Sequence, residues 1–147
     1  MLEEKLLKAE KYGELPKVLI VVHLAGQSAD METIASLSRR FNFRIIEDAS
    51  HAIGGKYKNE YIGNCKYSEI TIFSLHPVKI ITSGEGGMVV CNNEKNYNIL
   101  KSLRSHGWSR DTSFHKSIAK KYKNLDEKFL FINSGFNLRP TEIQAAI

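Results

Sequence analysis

The spacing of apolar residues changes along the chain, and each change marks an element. Leu2, Leu6 and Leu7 share one face of a charged stretch, which predicts a helix over 2–12 ended by Gly13 and Pro16. Val18 to Val22 is an unbroken, β-branched run, the pattern of a strand buried on both faces. Gly26-Gln27-Ser28 is a turn, and Ser28 or Asp30 can cap the helix that follows. Met31, Ile34, Leu37 and Phe41 give that helix an apolar stripe. Residues 43–47 form the next strand, so strand, helix and strand read as a βαβ unit with parallel pairing.

Further along, Gly54-Gly55 and Gly63-Asn64 bracket a small hairpin or loop around Tyr57 and Tyr61. Strands are predicted at 69–73 and 86–91. A helix capped within Asn92-Asn93-Glu94 runs to about Ser105, with Tyr97, Leu100 and Leu103 inward and Gly107 ending it. Residues 108–128 are polar and irregular, which predicts a mobile loop that can hold one helical turn. After the short apolar segment 129–132, Pro140 opens a helix, and Thr141-x-x-Gln144 matches a capping box. Only about one turn of that helix precedes Ile147, and so short a helix is not stable alone. The chain is therefore expected to be cut off, or to continue in another polypeptide. The fold class expected is α/β, with a mostly parallel sheet and flanking helices.

Composition changes this picture little. The 147 residues suit one domain, and a 42% hydrophobic, 25% charged balance is that of a globular protein. A net charge of +5 favours anionic ligands such as phosphates. Lys116, Lys120, Lys121, Lys123 and Lys128 form one basic concentration, read as a solvated loop because no nucleic-acid docking motif accompanies it. Cys65 and Cys91 are not paired as Cys-x-x-Cys, which argues against a redox or zinc site and suits a reducing compartment. The charged start lacks a signal peptide's apolar core, and no apolar run could cross a membrane. A cytoplasmic protein without nucleic-acid or membrane partners is expected.

The candidate chemistry lies where the strands end. Asp48 closes the second strand, at the edge where open α/β sheets bind ligands. His51 follows three residues later. Ser74 ends the third strand, and Lys79 comes five residues on, ahead of Gly84-Glu85-Gly86-Gly87. That glycine run has neither the Walker pattern nor the dinucleotide fingerprint. A lysine, an acid at a strand end and a serine near the lysine are what an enzyme needs to hold pyridoxal phosphate (PLP). The amine condenses with the aldehyde, and the acid pairs with the ring nitrogen. The serine, with backbone N–H groups, holds the phosphate. Pro77-Val78 and Ile80-Ile81 give Lys79 an apolar setting that would disfavour its charge. Singly, each residue also fits a plainer role: loop acid, structural histidine, turn serine, surface lysine. His76, His106 and His115 are too scattered for a metal site.

Six segments in order carry a resemblance. They are Val22-His23-Leu24-Ala25-Gly26, residues 47–54, residues 73–79, Gly84-Glu85-Gly86-Gly87, residues 103–107, and residues 135–139 with 142–146. Together they resemble the DegT family of nucleotide-sugar aminotransferases, PLP enzymes of the aspartate-aminotransferase-like fold. The wording of residues 25–31 and 76–79 looks most like the pseudaminic-acid branch, which aminates a UDP-linked 4-keto-6-deoxy-hexosamine. Residues 107–131 look less like it.

The resemblance implies that Lys79 is the Schiff-base lysine and proton shuttle. It implies that Asp48 binds the pyridine nitrogen, His51 contacts the ring hydroxyl and Ser74 binds the phosphate. Asn137 would reach the phosphate held in a neighbouring subunit of a homodimer. A related branch that removes a sugar hydroxyl carries histidine where this chain has Lys79, so the lysine favours transamination. The implied substrates are a nucleotide sugar and an amino-acid donor, glutamate, in glycan or polysaccharide biosynthesis. Family members are well over twice this length. Residues 1–147 are thus expected to be the central part of a fold-type I PLP large domain, without its N-terminal part and its small C-terminal domain. The alternative is a non-catalytic remnant or a partner-dependent piece of a split enzyme.

Overall fold

A computed structural model describes all 147 residues, which divide into two compact units, Met1–Asn92 and Asn93–Ile147. The first unit holds a four-stranded sheet in the order β1-β2-β5-β6. Strands β1 (Val18–Val22), β2 (Arg44–Asp48) and β5 (Ile70–Ser74) run parallel, and β6 (Gly87–Val90) lies antiparallel to β5. The protein is a mixed α/β fold with a mostly parallel sheet, as its pattern predicts. A two-stranded hairpin, β3 (Lys56–Tyr57) with β4 (Glu60–Tyr61), stands apart from that sheet.

Two helices cover one face of the sheet. Helix α1 (Leu2–Tyr12) buries Leu6 and stops at Gly13, whose φ of +69° suits a residue without Cβ. Helix α2 (Met31–Phe41) is capped by Asp30, whose carboxylate accepts from the Thr33 N–H. Ser28 instead donates its hydroxyl proton to the Ala29 carbonyl. Leu6, Met31, Ala35 and Phe41 pack there on Val21 and Ile45, with Phe43. A second cluster, Ala49, Ala52, Ile62 and Phe73, lies under the loop that leaves β2.

The other face is apolar and bare. Val18, Ile20 and Val22 are exposed on β1, as are Ile72 on β5 and Val89 on β6. This corrects the expectation that β1 is buried on both sides. Its alternate residues Leu19 and Val21 meet the helices, while the rest face solvent because no element lies over them. β1 is also an edge strand.

In the second unit, α3 (Glu94–Arg104) is capped by Asn93, which accepts from the Asn96 N–H. Its buried positions are Asn98 and Ser102, spaced i,i+4, rather than Tyr97, Leu100 and Leu103. Asn98 is satisfied there: its amide donates to the Glu94 carbonyl, and its oxygen accepts from the Ser113 N–H. The segment expected to be irregular contains α4 (His115–Lys121), two turns rather than one, with its lysines exposed. Pro140 precedes the capping residue Thr141 of α5 (Glu142–Ala146), and the capping box with Gln144 forms as its sequence predicts. No helix is long and apolar enough to cross a membrane.

Candidate functional site

Parallel pairing places the strand ends together. Val22, Asp48 and Ile72 form one row across β1, β2 and β5. Ser74 lies two residues beyond Ile72, so it projects from the same face as Asp48. Both are half-buried at the carboxyl edge of the sheet.

The loop after β2 is held at each step. The Asp48 carbonyl accepts from the His23 N–H at 3.0 Å, and the Ala49 N–H donates to the Ile72 carbonyl at 2.8 Å. The Asp48 carboxylate accepts from the Ser50 N–H at 3.1 Å. Hydrogen bonds from Ser50, its hydroxyl first and then its backbone N–H, keep this carboxyl below the ordinary carboxylate range. They win over partial burial, and nearby His51 and Lys79 push the same way. Asp48 therefore stands ionised at neutral pH, as a partner for a protonated ring nitrogen must.

His51 and Lys79 meet directly: Lys79 Nζ lies 2.8 Å from His51 Nε2. The structure thus gathers Asp48, His51 and Lys79, residues from the β2 loop and the β5–β6 connection, at one place. The apolar enclosure expected around Lys79 is not there. Val78, Ile80 and Ile81 turn to solvent, and Lys79 is half-buried. The β5–β6 connection is organised by polar contacts: Thr82 donates to the Leu75 carbonyl at 2.8 Å and accepts from the Gly84 N–H at 3.0 Å. Ser74 Oγ accepts from the His76 N–H at 3.3 Å and keeps its own proton to donate. Asn137 belongs to the second unit. It is exposed and bridges Ser105, in a strand-like segment tied to the end of α3 by the Phe136–Leu103 and Leu138–Arg104 backbone bonds.

Sequence reasoning gave no role to the pair beneath this loop. His23 is wholly buried and Glu47 nearly so, with His23 Nε2 2.8 Å from Glu47 Oε2. The other Glu47 oxygen accepts from the Ser68 and Thr71 hydroxyls. Burial pushes the Glu47 carboxyl up, but the hydrogen bonds from His23, Ser68 and Thr71 outweigh it and leave the group below its ordinary range. The available signal was positional. Val21, Glu47 and Thr71 fall in one row on the helix-covered face, and His23 follows that row by two residues.

The residues present fit PLP: an amine beside an imidazole, an ionised acid on the adjoining loop, and a hydroxyl donor on the same sheet face. No group of three or more His, Cys, Asp or Glu is arranged to hold a metal ion.

Comparison with known proteins agrees with this chemistry. The sequence profile of the DegT/DnrJ/EryC1/StrS aminotransferase family matches residues 4–147. A UDP-4-amino-4,6-dideoxy-N-acetyl-beta-L-altrosamine transaminase of Campylobacter jejuni is 44% identical over 108 residues, 72% of this chain and 28% of the relative. Among solved structures, Helicobacter pylori PseC, described as an aminotransferase of pseudoaminic acid biosynthesis, superposes with a TM-score of 0.75. It is 31% identical, covering 96% of this chain and 34% of that one. The GDP-4-keto-6-deoxy-D-mannose-3-dehydratase of E. coli, solved with bound hydrated PLP, gives a TM-score of 0.78. It is 26% identical, covering 97% of this chain and 36% of that one. The chain spans about a third of the length of the relatives it matches.

Proposed function

Because the chain belongs to the DegT/DnrJ/EryC1/StrS aminotransferase family, we propose that Asp48, His51, Ser74 and Lys79 hold PLP for amino-group transfer to a nucleotide-linked 4-keto-6-deoxy sugar. Glutamate is the proposed donor, and cytoplasmic synthesis of a cell-surface glycan the setting. The observation that carries the reading is the 2.8 Å contact between Lys79 Nζ and His51 Nε2, on a loop whose Asp48 is held ionised. PLP, when bound, supplies an aldehyde with which an amine condenses and a ring that accepts electrons.

The chain's own residues divide the remaining work. Asp48 would accept a hydrogen bond from the ring N–H and balance its charge. Ser74 would donate its hydroxyl proton to the phosphate. His51, now 2.8 Å from Lys79 Nζ, would hold the cofactor's ring oxygen. Lys79 Nζ would take up and return the proton whose movement converts an amino acid to a keto acid, and the reverse for the sugar. Asn137 is proposed to reach the phosphate of a neighbouring subunit in a homodimer.

The test is to add PLP to the purified protein and follow visible absorbance. A band that Lys79→Ala removes is expected. No band, or a band that survives the substitution, overturns the assignment.

A second reading has its own observation. The bare face of β1, with Val18, Ile20 and Val22 exposed, suits a non-catalytic remnant or a piece that works only when another polypeptide covers it. Size-exclusion chromatography with a thermal melt decides this. A monodisperse, cooperatively melting monomer counts against it.

A further inference from the structure

The buried His23–Glu47 pair takes no part in the chemistry above, yet its contacts lead to the residues that do. The Ala29 N–H donates to His23 Nδ1 at 3.2 Å. A ring nitrogen that accepts in this way carries no proton, so the ring's proton sits on Nε2 and is donated to Glu47. Glu47 thereby fixes both the tautomer and the orientation of the ring, while Ser68 and Thr71 fix Glu47. Glu47 and Asp48 are neighbours in a strand and point to opposite faces, so the pair cannot touch the Asp48 carboxylate.

The connection runs through the main chain. The His23 N–H donates to the Asp48 carbonyl at 3.0 Å, and the His23 carbonyl accepts from the Gly26 N–H at 3.2 Å. Gly26, at φ +83°, lies so close to the β2 loop that a Cβ there would stand 2.9 Å from the His51 carbonyl oxygen. One buried ring thus anchors a turn that backs Asp48 at one end and His51 at the other.

We propose that His23 and Glu47 are positioning residues: their buried hydrogen bond holds the turn at 23–26 against the β2 loop and so sets where Asp48 and His51 present their side chains to the cofactor. This rests on the PLP reading for its consequence, but not for its geometry.

Two measurements test it. In the unmodified protein, 15N NMR of the imidazole should show His23 protonated at Nε2 and bare at Nδ1. The opposite tautomer overturns the proposal. Next, His23→Ala is compared with Met31→Ala, a core truncation in α2, each under conditions where circular dichroism shows it folded. His23→Ala should shift the Ser50 and His51 amide resonances and weaken PLP binding, read by visible titration, roughly tenfold, the low end of the loss when a residue that orients a ligand-holding group is removed. Met31→Ala should move neither. Equal changes in both variants, or none with His23→Ala, overturn it. Where His23→Ala does not fold, Glu47→Gln takes its place with the same readouts, smaller shifts expected and the same refuting outcomes. If the unmodified protein binds no PLP, the cofactor reading fails while the tautomer and amide shifts still decide the positioning claim.

Discussion

Val21 and Val22 are adjacent in β1, identical in chemistry and opposite in environment, which makes them a sensitive pair for the sheet's orientation. Val21 is 7% exposed and packs with Leu6, Met31 and Phe41, while Val22 is 51% exposed on the bare face. Val→Ala removes two methyl groups. At about 0.8 kcal/mol per buried carbon, the transfer loss at Val21 is about 1.6 kcal/mol. The unfilled space left beneath the helices raises this to about 2–3 kcal/mol. At Val22 about half the transfer loss applies and no cavity forms, giving about 0.8 kcal/mol. The expected difference is about 1.2–2.2 kcal/mol. With a urea slope of about 1–3 kcal/mol per molar, the two midpoints should separate by roughly 1 M, Val21→Ala being the lower. Urea titration followed by far-UV circular dichroism measures this. Equal midpoints, or a lower midpoint for Val22→Ala, would refute the assignment of covered and bare faces.

Two further outcomes are expected. The Glu47 carboxyl is held below its ordinary value of 4.5 in the folded chain, so the unfolded chain binds more protons at acid pH. Its stabilisation is complete above that value and is lost as pH falls through and below it. Asp48, also lowered, adds a contribution of the same sign. Melting temperature should drop along this acid limb, and Glu47→Gln should flatten it; an unchanged slope in the variant contradicts the linkage. Gly26→Ala forces a side chain into a left-handed backbone and against the His51 carbonyl, whereas Gly13→Ala, at φ +69°, meets nothing within 4 Å. Backbone strain alone costs about 1–2 kcal/mol in each, and the contact at Gly26 adds about 1 kcal/mol or more. Chemical denaturation that ranks the two equally would count against close packing of the 23–26 turn on the β2 loop.

The sequence was most informative where local rules decide. The β-branched run 18–22, the stripe from Met31 to Phe41 and the Thr141–Gln144 capping box each name an element because backbone geometry and capping act over a few residues. Asp48, His51, Ser74 and Lys79 were legible as candidates from strand ends and ordered motifs, and the structure brings Lys79 to His51 and holds Asp48 ionised beside them. What escaped notice depends on distant partners. Whether Ile20 is covered depends on what lies over β1, which its own pattern does not encode. The inward face of α3 fell on Asn98 and Ser102 because Ser113 and the Glu94 carbonyl satisfy Asn98 there, outweighing the pull of Leu100 and Leu103. The partnership of His23 with Glu47 requires the parallel register of β1 on β2, a tertiary fact absent from the spacing of either residue.

The edge position of β1 carries a liability during expression. Val18-Leu19-Ile20-Val21-Val22 is five uncharged residues with strong β propensity and no internal proline, and one side of its backbone ladder has no neighbouring strand. Such a ribbon can recruit copies of itself and seed insoluble deposits. Pro16 and Lys17 stand immediately before it and act as gatekeepers, the first unable to extend the ladder and the second adding repulsion between stacked chains.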